Sequence, residues 1–228
     1  TATQTVTVVD NIDPTISAPA NVTVNVDAGT CVAAVSGVTL GSPTAADNCS
    51  VTTAHNASGN FVLGANTVTW TATDGSGRTA TATQTVTVVD NIDPTISAPA
   101  NVTVNVDAGS CTAAFANVTL GTPTTADNCS VASTVNDASG AYALGATTVT
   151  WTVTDAAGNT ATATQTVTVV DNINPTVVTQ NVTVYLDATG SAVILPATVD
   201  NGSTDNCSGL TLVRSEERRV GKECRSRW

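Results

Sequence analysis

The stretch TATQTVTVVDNIDPTISAPANVTVNVDAG fills residues 1–29 and recurs letter for letter at 81–109. A diverged copy, TATQTVTVVDNINPTVVTQNVTVYLDATG, occupies 162–190, so the chain is a tandem array with a period near 80 residues. Whatever one unit folds into, the next must fold into as well. Each copy is a join. TVTVV alternates Thr with Val, the period-two pattern of a half-buried strand; DNIDPT interrupts it with Asp, Asn and Pro; NVTVNV then resumes the alternation. One unit closes on a strand, crosses a short linker, and the next begins.

This period assigns 1–10 to the last strand of a preceding truncated repeat, 11–90 and 91–171 to two full units, and 172–213 to an incomplete third. About 80 residues is long for a solenoid repeat but enough for a sandwich that buries roughly two-thirds of its unfolded surface. Thr and Val dominate, Met is absent, and no amphipathic helical period occurs, which predicts an all-β fold of tandem sandwiches, beads on a string. The third unit lacks the Trp strand and the closing strand; with its core face and edges open, it is expected to be poorly ordered. No apolar run is long enough to span a membrane.

Charge changes abruptly near the end. Residues 1–213 hold one basic residue, Arg78, against fifteen aspartates, whereas six basic residues and all three glutamates fall within 214–228. RSEERRVGKECRSRW reads as the translation of a short-read sequencing adapter rather than native chain, and it is set aside from fold reasoning. A basic anchor for nucleic acid or membrane is the discounted alternative. The acidity of the rest disfavours nucleic acid and anionic lipid as partners.

Cys31 and Cys49 are spaced as Cys111 and Cys129 are, and the simplest reading is one disulfide inside each full unit. Ser191 stands where Cys31 does, which leaves Cys207 without a partner in its own unit. A metal site of two cysteines with no neighbouring histidine is the weaker alternative. Disulfides imply an oxidising compartment: secreted or on the cell surface.

Within the first unit, Val22, Val24 and Val26 share a strand face while Thr23 and Asn25 face solvent. CVAAVSGV is expected as a second strand, LGSPTAADN as turn, SVTTAHN as a third strand, and FVLGANTVTWTATD as two more around Gly64. Val68, Trp70 and Ala72 share parity, so Trp70 points inward; Val86 and Val88 do the same in the closing strand. The second unit repeats this order, with Tyr142 for Phe61, Trp151 for Trp70 and an inserted Asp137 in a loop.

The succession DPT, PTAADNC, FVLG, TVTWTATD, GNTA and TVTVVD resembles the HYR (hyalin repeat) family, immunoglobulin-like domains of animal extracellular proteins and of large bacterial surface and secreted proteins. The resemblance implies tandem immunoglobulin-like β-sandwiches. A second disulfide common in that family would fall on Ala18 and Ala82, and on Ala98 and Ala163, so it is absent here.

Catalysis finds no support. His55 has Val135 at the matching position of the next unit, and no Ser or Thr has a partner to activate it. The aspartates are the one constellation with chemistry. In an immunoglobulin-like topology, Asp10, Asp13, Asp47 and Asp74 would meet at the leading end of the first unit, and Asp90, Asp93, Asp127 and Asp155 at that of the second. Carboxylate and carbonyl oxygens around a joint are what Ca2+ prefers. Asp and Asn also build turns unaided, and both readings stay open. The composition and the adapter-like tail point to an environmental bacterial gene, so the Asn-x-Thr sites at Asn21, Asn101 and Asn181 are expected to be bare.

The expectation is a non-enzymatic extracellular repeat array, a stalk or adhesive segment of a larger surface or secreted protein. Its partners are other repeats of the same chain and a cell-surface protein or glycan. The alternative is a glycan- or ligand-binding module of a secreted hydrolase, which requires exposed aromatics.

Overall fold

A computed structural model describes residues 1–213; the tail at 214–228, read above as adapter translation, lies outside the described residues. The chain divides into two compact units, one of residues 1–98, 122–136 and 150–163, the other of 99–121, 137–149 and, among the described residues, 164–213. The fold is all-β, as tandem immunoglobulin-like sandwiches.

The first full repeat lies wholly in the first unit. Its strands are β1 (Thr15–Ser17), β2 (Val22–Asn25), β3 (Val32–Ala34), β4 (Thr44–Ala46), β5 (Val51–His55), β6 (Asn60–Val62), β7 (Gly64–Asp74) and β8 (Thr79–Val89). The main sheet runs β2-β8-β7-β5. β7 and β8 form its hairpin, paired from Gly64↔Val88 to Thr73↔Thr79. β2 lies parallel to β8, from Val22↔Val86 to Asn25↔Val89. Two short antiparallel pairs, β1 with β4 and β3 with β6, complete the repeat.

The Thr-Val alternation makes these strands amphipathic, and the valine side forms the core. Val26, Ala33, Leu40, Phe61, Val68, Trp70, Val86 and Val88 make one buried cluster. Trp70 is inward, at 5% exposure, as its parity predicts. CVAAVSGV is a strand only over β3, because its partner β6 is itself three residues long; Val35–Gly37 then turns as a 3-10 helix. LGSPTAADN, expected as turn alone, contains β4, whose Ala46 pairs with Thr15.

Gln84 is fully buried in this apolar core, where an unpartnered amide would be costly. Every polar atom of its side chain is used. Oε1 accepts the Trp70 indole N–H at 3.0 Å, and Nε2 donates to Ala20 O at 2.7 Å and Leu40 O at 2.8 Å. The amide thus fixes the tryptophan and ties two irregular segments to the closing strand.

The first unit also takes β9 (Thr95–Ser97), paired with β12 (Thr124–Ala126), and β13 (Val131–Asn136), whose partners run from Trp151 to Asp155. The second unit holds β10 (Val102–Asn105), parallel to the Val167–Val170 end of β16 (Thr160–Val170), and β11 (Thr112–Ala113), paired with β14 (Tyr142–Ala143). β15 (Gly145–Asp155) and β16 each pass from one unit into the other. Gln165 repeats the Gln84 arrangement, donating to Ala100 O at 2.7 Å and Leu120 O at 2.8 Å. Residues 172–213 make isolated bridges, Thr176↔Thr204 and Thr179↔Asp200, and one helical turn, Pro196–Val199. Tyr185, Leu186 and Val193 are left exposed there.

Substituting Gln84→Leu keeps the bulk but strands the Trp70 N–H and two carbonyls. Stability of the first repeat should fall by roughly 3 kcal/mol, read as a lower denaturant midpoint by circular dichroism. An unchanged midpoint would mean that the amide adds nothing beyond volume.

Candidate metal centre at the repeat joints

Strand direction decides what stands at each joint. Because β2 runs parallel to β8, the turn after β2 emerges beside the last residue of β8, and Val26 N–H donates to Val89 O at 3.0 Å. That turn, DAGTC, carries Cys31; Gly29 holds it with φ of +72°. β4, antiparallel to β1, leads back to the opposite end, where Asn48 lies against Asp10. Cys49 is therefore at the leading end of the repeat and Cys31 at the trailing end.

The disulfides follow from this and correct the pairing expected from spacing. Cys31 is bonded to Cys129, with Cα atoms 4.8 Å apart, and Cys111 to Cys207, at 4.9 Å. Cys49 is a free, exposed thiol. Neither Cys31–Cys49 nor Cys111–Cys129 forms, and Cys207, expected to lack a partner, has one. Each bond joins the trailing turn of one repeat to the DNC segment of the next. Asn128 Nδ2 donates to Thr30 O and Asn206 Nδ2 to Ser110 O, both at 2.8 Å, so an amide grips the turn beside each bond.

Around the Cys31–Cys129 joint, one carboxylate oxygen from each of Asp90, Asp127 and Asp155 falls within 4.8 Å of the others. Asp155, 2% exposed, ends β15. Its Oδ1 accepts from the N–H groups of Gly158 at 2.6 Å and Asn159 at 2.7 Å, and its Oδ2 from Asn159 Nδ2 at 2.8 Å. Burial alone would raise its pKa, but these bonds, with the Asn159 side chain first, outweigh burial and hold the carboxyl below its ordinary range. Asp90 Oδ1 accepts from Ile92 N–H at 3.2 Å and Asn128 Nδ2 at 3.3 Å. Asp127 Oδ2 caps the backbone of Cys129 and Ser130 at 2.9 and 2.8 Å.

Two oxygens of this group, Asp127 Oδ1 and Asn128 Oδ1, are buried without a hydrogen-bond donor. A buried acceptor with no donor is costly, and a cation removes the cost for several such atoms at once. Hard oxygens from three carboxylates and one amide fit Ca2+ rather than a softer metal.

The first joint differs in one member: a thiol stands in its group where the second joint has Asp155, and Asp74, the predicted counterpart of Asp155, is not in it. Asp10, Asp47 and Cys49 form the corresponding group, and Asp10 Oδ2 and Asp74 Oδ2 are buried without donors. Asp74 is 6% exposed; its Oδ1 accepts from Ser76 and Arg78 N–H. Burial raises its pKa, and these backbone and Ser76 hydrogen bonds lower it further than burial raises it. The Cys49 thiol is raised, first by its hydrogen bond to Asp10 and then by the neighbouring carboxylates.

Asp13 and Asp93 do not join these groups. Asp13 is exposed and forms an ion pair with Arg78, and Asp93 is exposed. Five residues went unread in the sequence: Asn128 and Asn159 at the Cys31–Cys129 joint, and Asp171, Asp205 and Asn206 in the equivalent set at the third. There Asn206 Nδ2 lies 3.4 Å from Asp171 Oδ1, and Asp205 Oδ1 and Asn206 Oδ1 again lack donors. The signal was the Asn of DNC, present in all three copies.

Among curated proteins, Hyalin of Lytechinus variegatus is 36% identical over 193 residues, 78% of this chain. The chain spans about a third of that relative, 35% of its length. The bacterial source expected from the sequence is not borne out by this match. Among solved structures, protocadherin gammaB7 EC3-6 matches with a TM-score of 0.40 and 13% identity, over 75% of this chain and 51% of that one. Drosophila N-cadherin EC1-4 gives 0.37 and 10%, over 69% and 49%. Likenesses this loose carry no inference about this chain. The model of the HYR domain matches residues 9–88 and again 89–169, and on that match over both full repeats the chain belongs to the HYR domain family.

Proposed function

We propose that this chain is a non-enzymatic, extracellular load-bearing array, a stalk or adhesive segment of a larger secreted or surface protein. Its joints are locked by inter-repeat disulfides and closed by Ca2+. The observation that carries this reading is the coincidence, at one joint, of Cys31–Cys129 with the Asp90, Asp127 and Asp155 group. Two domains meant to swing freely on a linker gain nothing from a covalent bond across it. Two domains meant to transmit tension do, and near-identical repeats suit a spacer whose length matters more than any one surface. Membership of the HYR family and a Hyalin relative support an extracellular adhesion setting. No helix among the described residues is long and apolar enough to cross a membrane.

The competing module of a secreted hydrolase needs aromatic platforms in solvent. Trp70, Trp151, Phe61 and Tyr142 are buried, and among the described residues the exposed aromatics are Phe115, which stacks on Tyr142, and Tyr185.

In this role Asp90, Asp127 and Asp155 hold the ion, and Asn128 and Asn159 orient the carboxylates. Ca2+ supplies the positive charge that three converging carboxylates lack. Calorimetric titration of the oxidised chain should give heat of binding with a Kd in the range of roughly 0.1–1 mM usual for extracellular modules. At about one hundred times Kd, the ion adds ~2.7 kcal/mol to stability and raises the melting temperature. Asp155→Asn should weaken this binding at its joint. Absence of both heat and a rise in melting temperature at millimolar ion would remove calcium from the proposal.

The covalent part has its own test. The Cys31–Cys129 bond closes a span of 98 residues, and for a loop near that length chain entropy assigns about 4.7 kcal/mol. Cys129→Ser should therefore melt well below the oxidised parent, and reducing both proteins, which also opens Cys111–Cys207, should bring the two together. Equal melting of the variant and the oxidised parent would show that the bond carries no stability.

A further inference from the structure

Two features at the beginning of the chain differ from their counterparts further on. Residues 1–10 are identical to 81–90 and to 162–171. In the later copies these letters form β8 and β16, each held between two neighbouring strands, with Val86, Val88, Val167 and Val169 buried. In the first copy they form no strand, and Val6 and Val8 are 75% and 92% exposed. The second feature is Cys49. The same DNC triplet occurs at Cys129 and Cys207, and both of those are bonded to the cysteine of a DAG-x-Cys turn.

The amide beside each cysteine behaves accordingly. Asn128 and Asn206 donate to the carbonyl just before the turn cysteine at 2.8 Å. Asn48, in the same place, has only long contacts, 3.4 Å to Asp10 Oδ1 and 3.5 Å to Cys49 Sγ. Turned over, its nitrogen donates to Asp47 instead. The interval from Asp10 to Cys49 equals that from Asp90 to Cys129, so the acidic joint and the thiol stand in the relation they have where the bond exists.

We propose that residues 47–49 are the receiving half of a further staple, and that its occupant is the DAG-x-Cys turn of another repeat of this kind, joined ahead of Asp10. The sheet of that repeat takes residues 1–9 as its closing strand. Parallel pairing with that strand brings the turn to Cys49, as β2 on β8 brings Cys31 to Cys129. Bond formation joins two thiol sulfurs and releases two protons and two electrons, which reduce one molecule of oxidised glutathione to two of its thiol form. The proposal rests on the stapled array described above but not on its calcium.

The test fuses a second copy of residues 91–161 directly ahead of Thr1 of the full chain, so that residues 1–10 complete that copy without a seam. The protein is refolded with oxidised and reduced glutathione, alkylated without reduction, and cleaved before aspartate for mass spectrometry. The expected result is a peptide in which Cys49 is linked to the copy of Cys111, with alkylation of Cys49 lost. Amides of residues 6–8, which form no strand in the parent, should become protected. Cys49→Ser in the fused chain should leave the copy of Cys111 alkylated and the protection of residues 6–8 in place.

Cys49 recovered in alkylated form overturns the proposal, as does a bond between the two cysteines of the added copy, or one between Cys49 of two molecules. A failed calcium titration alters none of these readouts, and a failed disulfide map does not alter the titration.

Discussion

β2 lies parallel to β8, in register from Val22↔Val86 to Asn25↔Val89, and that direction governs what every turn of the repeat can reach. A parallel neighbour leaves the sheet at the same end as the strand it accompanies. The DAG-x-Cys turn therefore meets the linker to the following repeat, and cannot meet the DNC segment of its own. Were β2 antiparallel to the closing strand, Cys31 would sit at the leading end, and the disulfide expected from spacing would be within reach. The same direction delivers Val26 to the core beneath the turn, where it packs with Trp70 and Val88. Stability of the core and position of the staple are thus set by one strand pairing.

Much of the fold was legible, because a period-two alternation translates directly into a two-sided strand. The inward parity of Val68, Trp70 and Ala72, and of Val86 and Val88, holds in the structure. Gln84 shares that parity but went unread, since a glutamine among valines invites the reader to turn it outward. What overrides polarity there is complete satisfaction: three partners, all inside the protein. The short strands β1 and β4 were hidden in turn-rich sequence, since three residues are too few to show a period. The cysteines misled for a different reason. Spacing along the chain reports on repetition, and a disulfide depends on which ends of the sandwich the two residues occupy. Direction of a strand leaves no mark in its composition.

The aspartates divide along the same line. Asp90, Asp127 and Asp155 converge because each sits at the leading end of its repeat, the first in the linker, the second after β12 and the third at the end of β15. Asp13, one turn away along the linker, is drawn off by Arg78. In the second repeat Asn159 replaces Arg78, and its amide turns toward the linker carbonyls of Asp90 and Ile92 and to Asp155. One substitution thereby changes the joint from one with a fixed positive charge nearby to one with none. In the proposed array, the joint at Asp90, with no such charge beside it, would be the one that depends more on an external cation.

Covalent and ionic restraints at one joint are not redundant. A disulfide limits how far two repeats can separate but leaves torsions about its bonds, whereas oxygens gathered around an ion resist changes of angle. Fifteen aspartates against one arginine over residues 1–213 make successive repeats repel, and at the ionic strength of body fluids that repulsion is screened beyond about 8 Å. It acts, then, mainly inside the joint, where the carboxylates lie closest. Without a cation, the acidic groups push against the sulfur bridge that holds them together. In the proposed array, a cation would turn the same groups into ligands that fix the angle. Under the proposed function, the staple is the part that keeps the carboxylates within 4.8 Å of one another, a spacing that a cation could bridge.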